Sequence, residues 1–302
     1  MVVELNPRLF GWRRDIAEKE WPHVKHLFQP FSSLKCAEPP DPGLYLPPWK
    51  LAKKLFGKHL PRMVQESLDC CGFGLCQAGQ YLHVYELAEG MQEEKFRPWY
   101  PPYPYAIGRT APDLGNGQLG SSGGSTGVWT IEAVRRYGML FADDEGVAPY
   151  SGAISDAWGR RGVPEQYKSI AANNQIGAAA KLEGPDEVRL AVLSRKMVTY
   201  AIDWDYGTDA ISYKGYRVLR RGGGGGGHQV CLISWMDEPF PAAFCLNSWP
   251  EGTHEGPDNG EPPGGAWLRK EDMARDMSDQ FTEIFGMSQF AGEPGSANHG
   301  GL

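Results

Sequence analysis

The order of its hydrophobic patterns constrains this chain most. From Cys70 onward, Phe73, Gly74, Gln77, Ala78, Tyr81, Tyr85 and Ala88 recur at the i, i+3, i+4 spacing of one helix face. Val128–Tyr137 reads as a second helix, ended by Gly138. The later part of the chain is built differently. Val198–Ile202, Tyr213–Leu219, His228–Trp235 and Ala243–Trp249 are short runs rich in β-branched and aromatic residues, separated by turn chemistry. Helices first and strands second predict an α+β protein, not an alternating parallel sheet. The chain has 39 glycines and 24 prolines in 302 residues, which predicts long loops and argues against a helical bundle or coiled coil.

With 41% hydrophobic residues, the sequence can bury a sizeable core. No apolar run approaches the ~18 residues of a membrane span, and MVVELNPRLFGWRRD lacks the order of a secretory signal. The expectation is a cytoplasmic chain, or one packaged into a virion from inside a cell, without membrane contact. The net charge of −7 argues against nucleic-acid binding of the basic kind. The charge is unevenly spread, however, because residues 1–62 hold 11 Lys/Arg against 6 Asp/Glu. Residues 1–60 read as a basic, proline-rich arm: a helical stretch over Trp12–Leu27, the extended CAEPPDPGLYLPPW, then a basic helical turn at Lys50–Lys58. Such an arm suits docking on an acidic surface, its own body or a neighbouring subunit. Residues 61–280 form the expected folded domain, and 281–302 a Gly-rich tail.

Six cysteines, at 36, 70, 71, 76, 231 and 245, are too few and too irregular for a disulfide scaffold. Cys71 and Cys76 lack a second pair at ligand spacing, so no metal is expected. Gly115-Asn-Gly-Gln-Leu-Gly120 matches GxGxxG but follows no predicted strand, so no nucleotide cofactor is expected. The run Gly222–Gly227 reads as a flexible tether into the strand that begins at His228.

Attention therefore falls on a reactive thiol. Cysteine-nucleophile hydrolysis needs a thiolate of low pKa, a base, a group that orients the base, and an oxyanion donor. Cys70 stands where a helix N-terminus is predicted, with Asp69 as its cap. His228 opens one strand, and Asn247 lies in the next, across the turn MDEPFPAA. His83 reads as a surface or partly buried helix residue. His254, in the loop after Trp249, is either a loop side chain or a substrate contact. Trp129, Tyr103 and Tyr105 read as core packing or cleft lining.

At these residues the sequence resembles the papain-like cysteine peptidases. Asp69-Cys-Cys-Gly-Phe73 resembles the family's S-C-x-[AG]-F helix opening, and Ser122-Gly-Gly124 the glycine-rich wall of its substrate cleft. Gly227-His-Gln-Val230 resembles its histidine strand, and Phe244-Cys-Leu-Asn-Ser-Trp249 its N-S-W segment. Gly264-Gly-Ala-Trp-Leu268 is similar to its closing strand. The resemblance implies a helical N-terminal half and a β-rich C-terminal half with a cleft between. It also implies a Cys70, His228, Asn247 triad, Gln65 as oxyanion donor, Trp249 shielding the pair, no cofactor, and a polypeptide substrate. Helix register with Gly72-Phe73 favours Cys70 as nucleophile, whereas the interval from Gln65 favours Cys71. The family's NSWG is here NSW-Pro250. The phrasing is also similar to papain-fold proteins of bacteriophage and bacterial genomes. A rival expectation is therefore a virion structural protein that keeps the fold, its arm contacting other assembly subunits.

Overall fold

A computed structural model describes residues 9–37, 45–90 and 95–288. In chain order the helices are α1 (Arg14–Val24), α2 (Pro48–Phe56), α3 (Cys70–Ala88), α4 (Pro102–Thr110), α5 (Gly127–Tyr137), α6 (Gly152–Arg161), α7 (Glu165–Ala171), α8 (Pro185–Leu193) and α9 (Lys270–Met277). The strands are β1 (Ala179–Lys181), β2 (Met197–Tyr213), β3 (Tyr216–Met236), β4 (Ala242–Leu246), β5 (Gly265–Arg269) and β6 (Glu283–Met287). They form one sheet in the order β1-β6-β2-β3-β4-β5, with successive strands in that order antiparallel and a further parallel contact of β3 with β5 at Val218 and Trp267. The α+β expectation holds.

Period-two alternation decides what each face of the sheet buries. Val198, Tyr200, Ile202 and Trp204 of β2, with Val230 and Leu232 of β3, join a core that includes Val188 and Val192 of α8 and Met273 of α9. Cys231 and Ile233 point the other way, into the larger core built around α3, α4 and α5. Helix α3 is buried almost all round, as expected of a helix enclosed by other elements. Its glycines set how closely it approaches them. A methyl group on Gly74 would lie 2.9 Å from the Val230 carbonyl oxygen, and one on Gly72 2.5 Å from that of Pro101. Gly74 thus brings the start of α3 against β3, the strand that carries His228.

Several expectations need correction. Gly222–Gly227 is not a tether; it lies inside β3. At Gly224 and Gly226 glycine is required by close approach: a Cβ on Gly224 would be driven into the Trp204 carbonyl, and one on Gly226 would meet the Phe10 ring at 2.7 Å. Tyr213–Leu219 is not one strand, since Lys214 and Gly215, both at positive φ, turn the chain from β2 into β3. The boundary drawn at 281 falls before a sheet strand, because β6 pairs with both β1 and β2; residues 289–302 lie outside the described residues.

Nor do residues 1–60 form a separate arm where they are described. Trp49 and Ala52 of α2 are buried in the main core, the Trp49 ring 5.0 Å from Phe244 and 6.1 Å from Trp267. Arg14 of α1 pairs with Asp203 and Asp279 of the body. Part of the Pro39–Pro48 cluster lies outside the described residues.

Candidate active site

Cys70 is the first residue of α3, where unpaired backbone N–H groups favour negative charge. Burial opposes ionisation of its thiol. Hydrogen bonding from Cys71, the charge and hydrogen bond of His228, and the Gln229 backbone N–H outweigh that and hold the pKa well below the usual cysteine value. The neighbouring Cys71 is driven the opposite way, by burial first and then by Cys70 itself. A pair of adjacent thiols is thus split into a thiolate-prone member and an inert one. Asp69 does not cap the helix. Its carboxylate instead accepts from Ser155 Oγ at 2.6 Å and Tyr150 Oη at 3.0 Å, and burial lifts its pKa to about 7.

His228 sits on β3 opposite Ile202 of β2. Asn247 follows the last residue of β4 rather than lying within a strand, and its backbone N–H is held by the Gly264 carbonyl at 3.0 Å. His228 Nε2 and Asn247 Oδ1 are 2.9 Å apart. The Ser248 backbone N–H donates to the same oxygen at 2.7 Å. A backbone amide can only donate, so this atom is the acceptor, and His228 Nε2 carries the proton that meets it. The other imidazole nitrogen is left for the thiol. Trp249 lies over the pair, its ring 4.8 Å from that of His228 and tilted by 30°.

Gln65 is fixed by three contacts at the same end of the cleft. Its backbone N–H donates to Ser248 O at 2.8 Å, its Oε1 accepts from Ser248 Oγ at 2.6 Å, and its Nε2 donates to Ser67 O at 2.8 Å. That nitrogen also reaches a further peptide carbonyl, Leu9 O, at 3.3 Å.

The Leu9 contact belongs to a feature the sequence did not announce. Residues 9–13 lie along the cleft as a strap, bridged at Trp12 to Ser125. Ser125 N–H donates to Gly11 O, and Arg13 N–H to Ser125 O, both at 2.8 Å, while Trp12 N–H donates to Gly227 O at 3.0 Å. Phe10 stands edge-on to His228 at 6.0 Å and to Trp249 at 5.6 Å. Trp12 packs with Cys70, Cys71, Ala17 and Ala201. Its indole N–H donates at 2.6 Å to Glu283, which also accepts the Gly127 and Val128 backbone amides. Burial raises the Glu283 pKa to about 7 despite these donors. Cys70 has no exposed surface beneath this strap.

Of the expected cleft residues, Gly124 faces the strap: a Cβ there would stand 2.6 Å from Gly11 O. Gly123 takes a long 3.5 Å contact from Arg13, but Ser122 is exposed, and the strap's main-chain partner is Ser125. Buried Arg109 organises this wall by donating to the carbonyls of Gly120, Ser122, Gly124 and Gly159. His83 is buried, not at the surface, and stacks on Phe96. Trp129, Tyr103 and Tyr105 are core residues. Sequence reasoning missed Phe10, Trp12, Ser125 and Glu283; the signals available were a tryptophan among charges in GWRRD and the glycines that lie opposite it.

Solved structures share this architecture. Xylellain, a cysteine protease from Xylella fastidiosa, matches with a TM-score of 0.54 at 13% identity, covering 95% of this chain and 99% of that one. Digestive procathepsin L 3 from the larval midgut of Tenebrio molitor matches at 0.52 and 12% identity, covering 90% and 79%. No family model matches the sequence, and neither does any curated protein sequence. At these identities the likeness is one of fold: the chain has the α+β fold of the papain-like cysteine proteases.

Proposed function

We propose that the protein is a papain-like cysteine peptidase acting on polypeptide, held closed in this conformation by its own residues 9–13. The observation that carries the reading is convergence on one point: a thiol drawn toward the thiolate, an imidazole oriented by Asn247, and a side-chain amide already donating to a peptide carbonyl. In this reading the Cys70 thiolate attacks the substrate carbonyl carbon, and its oxygen becomes an oxyanion held by Gln65 Nε2 and the Cys70 backbone N–H. His228 passes the proton it took from the thiol to the leaving amine. It then removes a proton from the water that attacks the thioester, and the acid leaves as the thiol is restored. Asn247 keeps the imidazole in the required tautomer throughout. No metal or organic cofactor enters these steps.

The rival reading, a virion structural protein using the fold without peptidase activity, is favoured by one observation: the cleft is filled by the chain itself. Opening the cleft separates the two. A Cβ on Gly11 would be driven into the Leu68 carbonyl, so Gly11→Arg displaces the strap in the full-length chain. The Gly11→Arg protein is expected to hydrolyse unfolded casein and to lose that activity with Cys70→Ser. A folded Gly11→Arg protein that leaves casein intact would support the structural reading.

A further inference from the structure

The Asn247 carboxamide is held from a second side. Its Oδ1 takes the protons of His228 Nε2 and Ser248 N–H, and its Nδ2 lies 3.1 Å from His254 Nε2. The amide nitrogen can only donate, so His254 Nε2 must be unprotonated, which places the ring proton on Nδ1. Burial supports this neutral form. His254 is 1% exposed, and burial, with Arg62, His228 and Arg217 as the facing cationic or titratable groups, lowers its pKa to about 3.

The backbone makes the placement specific. His254 has φ +56°, a left-handed conformation uncommon among residues other than glycine, held by its N–H to Thr208 O at 2.7 Å. Its ring stands in an aromatic box, 6.1 Å from Trp249 at 26° and 6.5 Å from Trp204 at 50°. A surface loop residue needs neither. Its Nδ1 is buried and makes no hydrogen bond among the described residues, so the one polar contact of the ring is the one to Asn247.

We propose that His254 is a positioning residue of the site, accepting the Asn247 amide so that the carboxamide plane, and through it the His228 imidazole, is fixed from both ends. This rests on the peptidase reading for its consequence in catalysis, but not for its geometry. The relay runs Cys70, His228, Asn247, His254, with the last member neutral at every working pH.

Two measurements test it. In the full-length wild-type chain, histidine ¹⁵N shifts should show His254 with a protonated Nδ1 and a bare Nε2, unchanged from pH 5 to 8. A proton on Nε2, or titration within that range, overturns the proposal. In the Gly11→Arg background, His254→Leu should lower kcat for a peptide substrate roughly three- to tenfold, the scale of one hydrogen bond, with KM little changed. His254→Gln, whose Oε1 can accept the same proton, should restore most of it. His254→Gly suits the backbone and keeps no acceptor, so it should behave like leucine; if it is as active as its parent, His254 is structural only. Should the Gly11→Arg parent itself be inactive, the peptidase reading fails separately. The His228 Nε2–H resonance, expected to shift and broaden in His254→Leu but not in His254→Gln, then decides the positioning claim, and an unchanged resonance in His254→Leu refutes it.

Discussion

The floor of the cleft and the strap above it are built by opposite means. The floor is side-chain chemistry on rigid elements: Cys70 at a helix start, His228 within a strand, Asn247 pinned just past another. The strap is main chain, joined to Ser125 and Gly227 by backbone hydrogen bonds and admitted by glycines at 11, 124, 226 and 227 that leave no space for a Cβ. Trp12 adds a buried side-chain anchor on Glu283. In the proposed reading, the contrast teaches that a peptidase site can be assembled and covered by the same chain, with the two roles resting on residues that can be altered separately.

The largest test of that separation compares the two adjacent thiols. In a Gly11→Arg background, Cys70→Ser should lower peptide hydrolysis by at least about a thousandfold, whereas Cys71→Ala, which removes one hydrogen bond to the Cys70 sulfur but not the attacking atom, should lower it by no more than about tenfold; steady-state rates read both. Next, the N-terminal stretch should itself divide. Trp49→Ala removes a ring buried against Phe244 and Trp267 and should cost about 3–5 kcal/mol of stability in denaturant unfolding, because α2 belongs to the core. Trp12→Ala should instead open the cleft, speeding alkylation of Cys70 by about ten- to a hundredfold while the fold persists.

The residues of the floor were legible in the sequence because the chemistry of the proposed peptidase demands particular residue types in a particular order, here Gln65, Cys70, His228 and Asn247 with Trp249. The strap was not, because a main-chain interaction leaves no side-chain signature; its signal is the glycines opposite it, and a six-glycine run looks the same as a tether until its neighbours are known. β6 was missed for a related reason. EIFGM is five residues long, carries a buried glutamate at its start, and becomes a strand only because β1 and β2 flank it. Trp49 was read as the end of the extended proline-rich stretch, and its helix was missed as a core element because the lysines of PWKLAKKLF lie on the exposed side of a helix whose other side is core. His254 was weighed as a loop residue, since nothing local reveals that seven residues of chain return it to Asn247.

A smaller effect concerns pH. Asp69, beside Cys70 in the chain, has its carboxyl raised by burial to about 7. The folded state therefore binds a proton that the unfolded chain releases near the ordinary aspartate value, so this group lowers stability as pH rises from about 4 to about 7. Asp69→Asn, which stays neutral and can still accept from Ser155 and Tyr150, should flatten that slope. Melting temperatures of wild type and variant should converge at low pH and separate in favour of the variant toward pH 8.

The central claim is that Cys70, not Cys71, is the poised thiol and that the strap alone withholds it. Its most direct test is alkylation with iodoacetamide at pH 6, mapped by peptide mass spectrometry in wild type and in the Gly11→Arg chain. The account predicts an adduct on Cys70 that forms rapidly in the opened chain and slowly in wild type, with Cys71, Cys76, Cys231 and Cys245 unmodified in both. An adduct on Cys71 in place of Cys70, or equal rates in the two proteins, would contradict it.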